Sequence, residues 1–266
     1  MSLKKILKKN IMFNLIRNSL VKFPSPYFSP KVKKTSISDF FFYNNKNGFQ
    51  SKLMLFNLSS HVLPEIIQDE IVKLFFFNKK GLLTKKYDLK LKYQETKEIL
   101  ISDLLKEDYG SFFAFHIFNN FGDLLKNNSY ISERGYMAYR NKNSIWNFMH
   151  GNHNAAYLDN KFRIHSLIGT SFTENNPYLP QVSFLDQEEF DIVINNPSNR
   201  ISSLLITLKD ENQEIIDKQT ILINPFGTCI YNYKKKIYLL ELKSKQVLNR
   251  PIIIKYYKNS FDIFHG

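Results

Sequence analysis

Three times in its first half the chain runs through apolar, strand-forming residues into an Asn and then a Gly. Phe41-Phe42-Tyr43-Asn44 leads to Gly48, Phe76-Phe77-Asn78 to Gly81, and Ile117-Phe118-Asn119 to Gly122. Aromatic and β-branched residues fit a pleated, half-buried surface. Gly supplies the positive φ that a tight hairpin needs at its turn. The pattern therefore predicts antiparallel hairpins. The Asn positions are 34 and 41 residues apart, an unequal spacing that argues against a solenoid repeat.

The second half follows the same logic. SSLLITLKDENQEIIDKQTILI predicts a strand over Leu204 to Leu208, a polar turn, and a return strand ending near Ile223; IYLLEL and PIIIKYY add two more. KLFFFNKKGLLTKKYDLKLKY is the matching strand–turn–strand of the first half. VLPEIIQDEIVKLF reads as one or two helical turns or as a loop leading to a strand, and KEILISDLLKEDYG as a second short helix closed by Gly110. The expected fold is all-β and mainly antiparallel, with two sandwich-like units, a long irregular insertion between them and a short N-terminal amphipathic helix. The expected divisions are 1–34 for a basic arm, 35–126 and 181–266 for the β units, and 127–180 for the insertion.

Charge separates the arm from the body. The chain of 266 residues carries a net charge of +13. Residues 1–34 hold nine Lys and Arg and no acid, which leaves +4 for everything that follows. Within LKKILKKNIMFNL the apolar Leu3, Ile6, Leu7, Ile11 and Leu15 share one helical face, with Lys4, Lys5, Lys8 and Lys9 opposite. Three readings compete: a helix packed on the body, a peripheral contact with an anionic membrane surface through those four lysines, and an organelle presequence. FPSPYFSPK then reads as an extended linker. No apolar run is long enough for a bilayer-spanning helix. The single cysteine, Cys229, points to a reducing compartment, so the expected location is cytoplasmic, peripheral to a membrane where the arm docks.

The insertion is where a site is expected. NNSYISERGYMAYRNKNSIWNFMHGNHNAAYLDNKFRIHSLIGTSFTENNPYLP breaks the strand rhythm, and it is rich in Asn and Tyr and holds the only Trp. Arg134, Tyr136, Arg140, Trp146, His150, Asn152 and His153 form the candidate ligand-binding set. Guanidinium and amide groups make planar hydrogen bonds, while aromatic faces cover the C–H side of a sugar ring. The expected function is non-catalytic recognition of a polar small molecule or glycan, with no catalytic residues and no cofactor.

Two alternatives stay open. A metal-dependent enzyme would draw a divalent ion from His150, His153 and His165, with Asp159 or Glu133 as a further ligand or orienting group. A structural or adaptor protein would use the aromatics as core alone. Cys229 opens an apolar run and reads as an inert strand residue, and the acidic stretch Asp186, Glu188, Glu189, Asp191 reads as solvated turn. No phosphate-binding glycine loop or RNP1 stretch occurs, so no specific nucleic-acid partner is expected.

Overall fold

The computed structural model describes residues 36–57, 60, 65, 67–117, 135–142, 144–153, 156–159, 161–166, 176–180, 183–187, 189–246 and 250–266. The predicted arm helix with Lys4, Lys5, Lys8 and Lys9 lies outside these residues, as does Arg134.

The chain is built almost wholly of antiparallel strands. In the first half these are β1 (Ser36–Asn44), β2 (Phe49–Phe56), β3 (Glu70–Asn78), β4 (Leu83–Leu91), β5 (Thr96–Leu100) and β6 (Tyr109–Ile117). Next come β7 (Gly135–Asn141), β8 (Asn147–His150), β9 (Asn152–His153), β10 (Ala156–Leu158), β11 (Ile164–Ser166) and β12 (Asn176–Tyr178). The second half supplies β13 (Glu189–Asn195), β14 (Ser202–Lys209), β15 (Ile215–Ile223), β16 (Thr228–Tyr233), β17 (Leu239–Ser244), β18 (Ile252–Tyr256) and β19 (Phe261–His265). The described helix, α1 (Ile101–Leu104), is a single turn.

Four main sheets result. Sheet A has the order β4-β3-β6-β1-β9 and sheet B the order β5-β2-β7-β8. Sheet C runs β16-β13-β18-β19, and sheet D runs β12-β17-β14-β15. The turns follow the sequence in part. Between β1 and β2 the central residues Asn47 and Gly48 both have positive φ, and Phe49 N bonds to Lys46 O. This tight turn carries the chain from sheet A to sheet B and not into the predicted hairpin. Asn78 to Gly81 does join the paired β3 and β4, and Phe118 to Gly122 lies outside the described residues. Asn44 and Asn78 close their turns locally, each side-chain oxygen accepting a backbone N–H two residues on.

Alternation sorts the aromatics into two cores. Phe76, Phe112 and Ala114 of sheet A face sheet B, where they meet Leu53, Met137 and Tyr139. Their neighbours Phe75, Phe77, Phe113 and Phe115 face the other way and are covered by Ala156 and Leu158 of the β10–β11 hairpin. Sheet A is therefore buried on both faces, and each fully buried Phe contributes about 1.5–3 kcal/mol. Sheet C is also two-sided. Val193, Ile252 and Ile254 join the first-half core, whereas Ile192, Ile194 and Ile253 pack on Leu204, Ile206 and Leu242 of sheet D.

Two fasteners join the halves. Strand β8 lies beside β19, with Asn147 Nδ2 donating to Phe261 O at 3.3 Å and His265 Nε2 to His150 O at 2.7 Å. At the second, Thr228 N donates to Lys79 O at 3.1 Å, and the Phe226 ring stacks 4.8 Å from Phe77.

The all-β fold stands as read, with two revisions. VLPEIIQDEIVKLF contributes the start of β3 from Glu70, the second of its two readings, and KEILISDLLKEDYG holds the end of β5, the one-turn α1 and the start of β6. In both places strand pairing with β4 and β2 outweighs weak helical periodicity. Nor is the middle segment irregular where it is described: β7 is an interior strand of sheet B, and β8 to β12 follow it.

Candidate functional site

The stretch WNFMHGNH is a bent strand that changes sheets. Residues Asn147–His150 pair with β7 in sheet B, and Asn152–His153 pair with Phe40 and Asp39 in sheet A. The bend falls at Gly151, which is buried. The predicted site set is thereby divided: Tyr136, Arg140, Trp146 and His150 belong with sheet B, and Asn152 and His153 with the edge of sheet A.

Sheet B presents one open face. In β2 the odd residues from Phe49 to Leu55 are buried and the even ones half-exposed. Register places Gln50 opposite Arg140, Lys52 opposite Ala138 and Met54 opposite Tyr136, so these side chains share that outer face. Phe148 stands opposite Ala138 and is 55% exposed. The β7–β8 turn is fixed by a reciprocal pair, Ser144 N to Asn141 O and Asn141 N to Ser144 Oγ, both at 3.0 Å. It returns the chain so that Trp146 lies across the face.

Trp146 and Arg140 form the centre of this surface. The Arg140 guanidinium carbon is 4.6 Å from the Trp146 ring centroid, and Lys52 Nζ is 4.9 Å from it. Gln50 Oε1 accepts a 2.6 Å hydrogen bond from Arg140 Nε. Lys52 is held by Glu98 at 2.8 Å. Trp146, Arg140, Lys52 and Glu98, with Leu100 and Asp103, border an open hollow of about 490 Å³. Trp146 remains half-buried, so part of its ring surface stays accessible.

The histidines have other partners. His150 Nδ1 donates to Gly151 O at 2.9 Å, and its ring lies 4.8 Å from that of His265 at the β8–β19 seam. His165, on β11 over the outer side of sheet A, bonds to Asp159 Oδ2 at 3.0 Å. Backbone N–H of Arg163, then the His165 ring, hold the Asp159 carboxyl well below the usual carboxylate range. His153 is described in its backbone alone. Among the described residues no three His, Cys, Asp or Glu side chains are grouped to hold a metal ion.

Two features escaped the sequence reading. Between the halves lies a cleft of about 520 Å³ bordered by Asn44, Lys46, Asn141, Asp191, Asn232 and Tyr256. Of its two carboxylates, Glu189 and Asp191, the second is tied down: Tyr256 Oη and Asn232 Nδ2 each donate to Asp191 at 2.7 Å. Burial, then the Asp191 charge, pushes the Tyr256 phenol up. The second is a buried polar group in which His116 Nδ1 meets Glu70 Oε1, both fully buried on the inner face of sheet A. Alternation within YGSFFAFHI points His116 inward, a signal present in the sequence but outweighed there by the more conspicuous histidines of the middle segment. Cys229 is half-buried on β16, and burial pushes its thiol up, in keeping with an inert residue. Of the acidic stretch, Asp186 pairs with Lys255 at 3.1 Å.

No family model and no curated protein matches the chain. Among solved structures, a beta-glucuronidase from glycoside hydrolase family 2 aligns over 87% of this chain at 8% identity and a TM-score of 0.18. The alignment spans 24% of that enzyme's length, and a score this low does not indicate a shared fold. Among the described residues no helix is long and apolar enough to cross a membrane.

Proposed function

We propose that the chain is a non-catalytic binding protein that takes a sugar on the outer face of sheet B. The observation that carries this reading is the placement of Trp146 against Arg140 on a solvent-facing sheet surface beside an open hollow. A pyranose has an apolar C–H side and a rim of hydroxyls. The accessible part of the Trp146 ring serves the first. Arg140, Lys52 and Glu98, which line the hollow, supply donors and acceptors for the second. Sites on a rigid sheet are also pre-ordered, which lowers the entropic cost of binding.

Glycan-array binding of the full chain tests this, repeated with Trp146→Ala and Arg140→Ala. Trp146→Ala is expected to weaken the bound glycan at least tenfold, about 1.4 kcal/mol. Equal signals from the parent chain and both variants refute the reading.

A contact of the basic arm with anionic membrane is a separate proposal that rests on the nine cations of residues 1–34. Flotation with anionic liposomes, with and without those residues, decides it: equal flotation of the two forms refutes it.

A further inference from the structure

We infer that the bound sugar is acidic, carrying a carboxylate or sulfate that docks on Arg140; this rests on the sugar-site reading of sheet B. A guanidinium has five N–H donors in a planar fork. In Arg140 one of them, at Nε, is used by Gln50, and the ring of Trp146 packs on the group. These two contacts fix the plane of the fork. They leave the donors at both Nη atoms without a protein acceptor among the described residues, and no carboxylate there forms an ion pair with Arg140.

The neighbouring charges sharpen the point. Lys52 is the other cation on the hollow, and Glu98 already neutralises it at 2.8 Å. Asp103, exposed on α1, borders the hollow without bonding to Arg140. Arg140 is thus the cation on the hollow that forms no ion pair among the described residues, held by Gln50 and Trp146 and half-buried. A pre-oriented fork with two free edges matches the two oxygens of a carboxylate or sulfate in bidentate geometry, which a lysine ammonium cannot reproduce. A neutral sugar would offer these donors single hydroxyl oxygens and would not match both edges of the fork at once.

Trp146 is the only tryptophan of the chain, so its fluorescence reports binding at this place directly. The full chain is titrated with oligogalacturonate, with the methyl ester of the same oligomer, and with a neutral cello-oligosaccharide and its sulfated form. The acidic member of at least one pair is expected to bind ten-fold or more tighter than its neutral counterpart, and the pair that responds identifies the oxyanion. Arg140→Lys, which keeps the charge and removes the fork, is expected to erase most of that preference. Equal binding of acid and neutral forms, or a preference that survives in Arg140→Lys and Arg140→Gln, overturns the inference and leaves the sugar site standing. Absence of any fluorescence or calorimetric response to all four oligomers overturns both.

Discussion

Gly151 sits directly against the ring of Phe41: a Cβ at this glycine would lie 2.6 Å from Phe41 Cε1. That contact is where the chain passes from sheet B to sheet A, because a side chain at the bend would push the two sheets apart. Gly151→Ala is expected to destabilise the fold by about 1–3 kcal/mol through overpacking. Phe41→Leu in the same chain should recover part of the loss, since the smaller side chain vacates the space. Urea unfolding of the two single variants and the double variant measures the coupling. Strict additivity would show that the bend does not depend on this contact.

A second glycine governs how the halves meet. Gly81 has φ of +80°, and a Cβ there would stand 1.9 Å from Pro225 O. Backbone strain alone makes Gly81→Ala cost about 1–3 kcal/mol, and the clash adds to it. Because sheet C contributes to the cores of both halves, unfolding of the parent chain is expected to be a single cooperative transition. Calorimetry should show one peak, moved to lower temperature in Gly81→Ala. Two separate peaks in the parent chain would mean that the halves fold independently.

These glycines also show what the sequence could and could not reveal. Gly48 and Gly81 were legible because each follows a strand and an Asn, a local signal with a local cause. Gly151 was not, because its reason is Phe41, which is remote in the chain. The same division runs through the site. Trp146 and Arg140 stood out by chemistry and were brought together by the β7–β8 turn. Their partners Gln50 and Lys52 come from β2 through strand register, which no spacing within residues 127–180 encodes. The histidine segment divides in the same way: His150 pairs in sheet B and His153 in sheet A, because the strand changes sheets after His150.

His116 and Glu70 supply a test in the core. Both are fully buried and bonded to each other. His116→Ala removes a hydrogen bond from a fully buried carboxyl group and is expected to cost about 1–3 kcal/mol. Replacing both with apolar residues, Glu70→Met with His116→Leu, should cost less than either truncation alone, since neither polar group is then left without the other. Denaturant midpoints of the three variants report this. A double replacement as damaging as the sum of its parts would show that other polar neighbours depend on the pair.

The buried tyrosines set the alkaline limit. Burial raises the phenols of Tyr43 and Tyr139 above their ordinary value near 10, and burial with the Asp191 charge does the same for Tyr256. In the unfolded chain these phenols ionise near pH 10, while in the folded chain they stay protonated. The unfolded state therefore binds fewer protons above that pH. Stability is complete below pH 10 and declines as pH rises past it, each such group adding up to about 1.36 kcal/mol per pH unit. Tyr139 Oη also donates to Phe42 O at 2.7 Å. Tyr139→Phe is thus expected to lose about 1 kcal/mol at pH 7 yet to show a shallower decline between pH 10 and 11. Urea midpoints across pH 8 to 11 compare the two chains, and parallel curves would show that Tyr139 plays no part in the alkaline transition.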